Sequence, residues 1–224
     1  MRKNQKTVVV ASLLAANLLN LFLFIQSNGS ILQVLWIYFI QAFIAAAFYY
    51  KRISKIRLAE LEYHRKNIPK KATAFEKQVR YQIPHEQIAF IGICLLPLTT
   101  IFIFLLSLSS EGVKITHNDS IVGTINLAAV SPSIWAIVIA AAAFYFYYFV
   151  EYRIDYRLAT QGLNLNNRYS SGRRAIFSIM PLFLVISIGP LLFFYFGSAA
   201  VFGIFIAAKM LLDIFLSIRG ISVD

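Results

Sequence analysis

The chain has 224 residues, of which 59% are hydrophobic and 15% aromatic, against 14% charged. An ordinary soluble domain is roughly 45–50% apolar, so this composition argues against a water-solvated fold and points to lipid as the solvent. Lys and Arg outnumber Asp and Glu by 21 to 10, yet they flank long apolar runs. That is the placement of membrane anchors, with anionic lipid headgroups as the expected partner and no nucleic acid.

A helix needs about 20 apolar residues to cross a hydrocarbon core about 30 Å thick. The first such run, 7–25, follows Arg2, Lys3 and Lys6 and is longer than the apolar core of a signal peptide, so it reads as an uncleaved first helix. The turn-forming Ser27, Asn28, Gly29 and Ser30 then lead into a second run, 31–50. Further runs follow at 88–108, 132–150, 175–196 and 198–218, the last pair split at Gly197 and Ser198. The expected fold is therefore an all-α integral membrane protein, a single six-helix transmembrane bundle.

Orientation follows from the basic residues. The N-terminal tail, the loops 51–86 and 151–174 and the C-terminus hold nineteen Lys and Arg, whereas the loop 109–131 holds Lys114 alone. The positive-inside rule places the basic side, and both termini, in the cytoplasm of a cell membrane. Aromatic clusters at Phe48 to Tyr50 and Phe144 to Phe149 fall at the expected cytoplasmic headgroup level.

The loop 51–86 is too long to lack structure. Its first half, with Ile53, Ile56 and Leu61 among basic residues, reads as an amphipathic helix continuing from the second span and lying on the inner leaflet. Lys51, Arg52, Lys55 and Arg57 there, with Arg173 and Arg174 in the second loop, are the expected contacts to anionic lipid. Asn118 in the external loop opens an N-x-S glycosylation pattern.

Charges inside a bilayer cost about 2.5–3.5 kcal/mol each on insertion scales, which singles out Lys209 and Asp213, four apart on the last helix. They could form an ion or proton relay, or a neutralised structural pair. Asn17, Asn20, Gln33, Gln41, Thr99 and Thr100 are the neutral polar residues of the spans, and interhelical hydrogen bonding is the reading they support best. Lys209, Asp213, Gln41, Asn17 and Asn20 together make the candidate intramembrane polar site. Pro97, Pro181 and Pro190 interrupt helices three and five, as transporter helices are interrupted, although ordinary membrane helices also carry prolines.

Enzyme signatures are absent. His64, His85 and His117 all fall in segments expected to be loops, Cys94 is the sole cysteine, and no H-E-x-x-H or P-loop occurs, so no catalytic residue, metal site or cofactor is expected.

Tyr38-Phe39-Ile40-Gln41 with Lys51 in the second helix, and Lys209-Met210-Leu211-Leu212-Asp213 in the last, carry a resemblance. The chain resembles a family of archaeal and bacterial multi-pass membrane proteins defined as domain of unknown function 6498. That family has Tyr-Trp-x-Glu where this chain departs at Phe39 and Gln41. The resemblance implies a prokaryotic membrane setting and no activity. The function expected from the residues is a non-enzymatic accessory or scaffold component that binds lipid, a membrane-protein partner or a second copy of itself. A small-solute or ion transporter built on the Lys-Asp pair is the alternative.

Overall fold

A computed structural model describes residues 2–26, 31–111, 113–117, 120–125, 133–162, 203–212 and 215. The helices are α1 (Arg2–Gln26), α2 (Ile31–Asn67), α3 (Pro69–Phe90), α4 (Leu96–Glu111) and α5 (Ile134–Thr160), with α6 at Gly203–Leu212. The expected fifth span, 175–196, lies outside the described residues, as do Asp213, Arg173, Arg174 and Asn118. Among the described residues the chain is helical apart from one antiparallel hairpin, β1 (Val113–His117) and β2 (Ser120–Ile125). The hairpin occupies the loop expected at 109–131, and its β-branched Val, Ile and Thr residues suit a paired strand better than the open loop that polarity alone suggested.

The central element is α2, whose 37 residues span ~55 Å at 1.5 Å per residue. Its apolar half is buried nearly all round, from Leu32 through Phe39 and on to Ala46, as expected of a helix without a polar face. Two partners run along it. Ile68 and Pro69 reverse the chain, and Pro suits the first helical turn, where its missing N–H forfeits no bond. From there α3 and α4 return antiparallel to α2. His64 meets Phe75, Tyr50 meets Phe90 and Trp36 meets Phe102, with ring centroids 4.9, 6.1 and 6.0 Å apart.

α5 runs parallel to α2 with its residues about 100 positions later. At one end the Gln33 carbonyl oxygen accepts from the Ser133 N–H (3.2 Å), while the Gln33 amide donates to the Leu23 carbonyl of α1 (3.4 Å). Phe48 stacks on Tyr148 (6.2 Å) midway. At the far end Tyr63 packs against Gly162.

Between α3 and α4 the helix widens into a π turn at Ile91–Leu95. Pro97 follows immediately, lacking an N–H and crowding the carbonyl four residues earlier, and a wider turn relieves both faults. Thr99 donates to the Leu95 and Leu96 carbonyls (3.0 and 2.8 Å) and Thr100 to that of Leu96 (3.0 Å). Both threonines are exposed. The expectation that they tie helices together is therefore corrected: their hydroxyls serve the backbone of their own helix.

The segment beyond residue 51 also differs from expectation. It continues α2 as a helix, but Ile53, Ile56 and Leu61 are buried against protein and unavailable to a leaflet. α2, α3 and the end of α5 pack together there as a stalk, with Val79 in its interior and Arg65 of α2 paired to Glu76 of α3 (2.8 Å). Hydrogen bonds from Arg65 and Arg80 hold the Glu76 carboxyl below its ordinary range. The contribution of this bridge is present above the unfolded carboxylate pKa and is lost as pH falls through the lowered folded value.

Gly162 ends α5 in the left-handed region, at φ +70°, and the Tyr63 ring occupies the space a Cβ would need. Gly162→Ala is expected to destabilise the protein by about 2 kcal/mol or more, from the left-handed penalty and the clash together. Gly203→Ala, on an open helical face, is expected to be neutral or stabilising. Thermal unfolding of the two variants in detergent compares them directly.

Candidate functional site

The apolar stripe of α5 descends through Ala136, Ala140, Phe144, Tyr147 and Tyr148, and the same periodicity carries Glu151, Asp155 and Ala159 to the buried face. α2 presents Tyr49, Arg52, Ile53 and Ile56 opposite. The Arg52 guanidinium, 1% exposed, reaches Glu151 Oε2 at 3.0 Å and Asp155 Oδ2 at 3.5 Å, and lies 5.1 Å from the Tyr49 ring centre. A planar guanidinium, weakly hydrated for a cation and able to lie over an aromatic ring, suits such a place better than an ammonium does.

This geometry corrects two expectations. Arg52 is an interior ion-pair partner and offers nothing to a lipid headgroup. Residues 151–160 belong to α5, so Glu151 and Asp155 are not part of a solvated anchor loop. Arg57 is largely occupied as well, half-buried and paired with Glu60 at 3.4 Å. Lys51 and Lys55 alone among the described lipid-contact residues stay exposed. The triad could have been found by extending the Phe144 stripe past the end of the apolar run. The buried face of α5 continues past the residue at which its apolarity ends, so hydropathy alone does not carry that signal.

The outward face of the same level has different chemistry. Lys51 Nζ lies 5.2 Å from the Tyr152 ring centre, Tyr152 is tilted against Tyr156 (6.2 Å), and exposed Arg153 lies over Phe149 (5.9 Å). Burial pushes the Tyr152 phenol up and Tyr156 adds to this, while Arg52 and Arg153 oppose.

The candidate intramembrane set is buried throughout its described members: Asn17, Asn20, Gln41 and Lys209 are each 5% exposed or less. Lys209 Nζ lies 6.0 Å from the Tyr38 ring centre, and Tyr38 meets Phe205 edge-on at 5.3 Å, so these contacts seat α6 on α2. The Asn17 amide turns back to the Leu13 carbonyl of its own helix (3.0 Å). Asn20 makes no hydrogen bond with any described residue. The small residues Gly203 and Ala207 face outward, opposite Lys209. The pairing of Lys209 with Asp213 lies outside the described residues. Among those residues no group of His, Cys, Asp and Glu is arranged to hold a metal ion.

Comparison of the chain with family models, with curated proteins and with solved structures gives no match. Function has to be read from the chain's own chemistry.

Arg52→Met strands two buried carboxylates, and breaking a buried pair in this way costs about 3–5 kcal/mol. The expected result is a variant that unfolds at markedly lower temperature in detergent, with much of the loss recovered when Glu151→Gln and Asp155→Asn are added. Additive losses in the combined variant would contradict the geometry.

Proposed function

We propose that the chain is a multi-pass integral membrane protein, a non-enzymatic scaffold that carries a helical stalk on the cytoplasmic side of the membrane. One observation carries this reading. Large apolar side chains are exposed around the bundle, among them Phe22 and Ile25 of α1, Leu96 and Ile103 of α4, Ile134, Trp135 and Phe146 of α5, and Ile204 and Leu211 of α6. An apolar surface distributed in this way suits lipid and is costly in water. Two helices, Leu32–Asn67 and Ile134–Thr160, are long and apolar enough to cross a membrane.

The polar ties between α2 and α5 have a matching spacing. Gln33 and Arg52 lie nineteen residues apart, a rise of ~28 Å, close to the thickness of a hydrocarbon core. Parallel α2 and α5, with α3 and α4 returning between them, fit a chain that crosses twice, an even number of times, between the starts of those helices. Beyond Arg52 the stalk rises to Ile68, ~25 Å along the helix axis, carrying the basic loop expected on the cytoplasmic side. Six spans, with both termini on that side, complete the proposal.

Scaffolding is preferred to transport because Lys209 is 2% exposed, whereas a conducting route requires water or solute to reach the charged group. The absence of any recognisable catalytic pattern in the sequence agrees with a role in binding.

Two measurements test the proposal. Alkaline carbonate should leave the expressed chain in the membrane pellet. In a Cys94→Ala background, a membrane-impermeant maleimide should label Ser120→Cys in intact cells and Lys70→Cys only after permeabilisation. Release by carbonate would refute the integral membrane reading, and the reversed labelling pattern would refute the orientation.

A further inference from the structure

Where α2 and α5 leave the proposed membrane, their outward faces make a cationic and phenolic surface directly behind the buried Arg52 triad. Lys51 and Lys55 lie one turn apart on α2, and Arg153 and Tyr156 are exposed on α5, while Tyr152 is buried. The Lys51 contact with Tyr152 and the Tyr152 contact with Tyr156 join the two helices into one surface. Glu151 and Asp155 point to the other side of α5, toward Arg52. Three cations therefore face outward with the nearest carboxylates withdrawn.

On the membrane side of these cations the same arc of α5 continues as Phe149 and Tyr145, both exposed and stacked on each other at 6.4 Å, with Phe48 packed edge-on to Tyr145 at 5.3 Å. An apolar aromatic strip leading up to a cluster of ammonium, guanidinium and phenol groups matches the two parts of an amphiphile. Phosphate oxygens accept well from Lys, Arg and phenol donors. An acyl chain fits the rings below, and tyrosine rings prefer the headgroup level.

We propose that Lys51, Lys55, Arg153 and Tyr156, with Tyr152 buried behind Lys51, form a binding site for one anionic glycerophospholipid of the inner leaflet, its phosphate among the cations and an acyl chain along Tyr145 and Phe149. The site rests on the membrane reading above and goes beyond it in naming a ligand class and a place. Free phosphate would satisfy the cations alone, so the aromatic strip distinguishes a lipid from an inorganic anion. The buried triad has a positioning role: by pairing Arg52 with Glu151 and Asp155 it turns the acidic face of α5 inward and leaves the outward arc positive.

The test uses the full chain purified in detergent, titrated with phosphatidylglycerol or phosphatidylcholine and followed by native mass spectrometry. Phosphatidylglycerol is expected to remain bound at one copy per chain in preference to phosphatidylcholine. With each basic residue near a headgroup contributing attraction, Lys51→Gln with Arg153→Gln is expected to weaken retention by ~30-fold. Lys51→Arg with Arg153→Lys is expected to retain it. These positions are exposed, and an unchanged melting temperature in lipid-free detergent shows that the neutral variant still folds. Equal retention of the two lipids, or no loss in the neutral variant, would overturn the site. Displacement of phosphatidylglycerol by equimolar inorganic phosphate would overturn the lipid assignment. A chain that stays monodisperse without detergent would instead overturn the membrane reading on which the site rests.

Discussion

The arrangement depends on a guanidinium that has left water. Arg52 is enclosed where α2 and α5 meet and has Glu151 and Asp155 within ion-pair distance. Burying such a group costs several kcal/mol before its partners repay it, so the triad adds less to net stability than a well-packed apolar contact of the same size would. It restricts the packing instead. Sliding α5 by one turn toward its N-terminus or its C-terminus would leave only one of the two carboxylates opposite Arg52, with Tyr147 or Ala159 in place of the other. Gln33 imposes a similar restriction at the other end, where it bonds both Leu23 and the N–H of Ser133. Between these ties, the aliphatic side chains pack without directional bonds and would tolerate other registers.

Several features follow from a fixed register. α2 becomes the axis of the molecule, with α5 parallel to it and α3 and α4 antiparallel, so one continuous helix links the apolar bundle to the charged stalk. The π turn before Pro97 lets the returning helix follow α2 past a residue that would otherwise bend it away. The stalk closes on Tyr63 and Gly162, where the glycine's left-handed conformation brings the end of α5 onto the ring. Lys209 is seated from outside this frame, against Tyr38 of the axis.

Much of the helical architecture was legible in the sequence because apolar runs of about 20 residues have few alternatives to a helix. Their far boundaries were less legible. α2 and α5 each extend beyond the point at which hydropathy ends, and Arg52, Glu151 and Asp155 lie in those extensions, so a reading that ends the buried helix at Tyr50 or Val150 assigns them to solvent or lipid. Periodicity was the better guide there: Glu151 and Asp155 continue the Phe144 and Tyr148 stripe. Asn17, Asn20, Gln41 and Lys209 stand out in the sequence as polar residues within apolar runs, and each is buried, but the runs alone do not say against what. Thr99 and Thr100 depart from the expected interhelical role, because a proline two or three residues upstream changes which carbonyls a hydroxyl can serve. The hairpin at Val113–Ile125 was hidden by the polarity of its loop.

The parallel register of α2 and α5 is the central claim, and cross-linking tests it most directly. In a Cys94→Ala background, paired cysteines replace Gln33 and Ser133, or Lys51 and Tyr152, and a short bifunctional thiol reagent is applied to the protein in membranes. The account expects both pairs to cross-link efficiently within one chain and the exchanged pairs, Gln33 with Tyr152 and Lys51 with Ser133, to remain unlinked. Efficient linking of the exchanged pairs would show antiparallel helices and contradict both the Arg52 triad and the fold built around it.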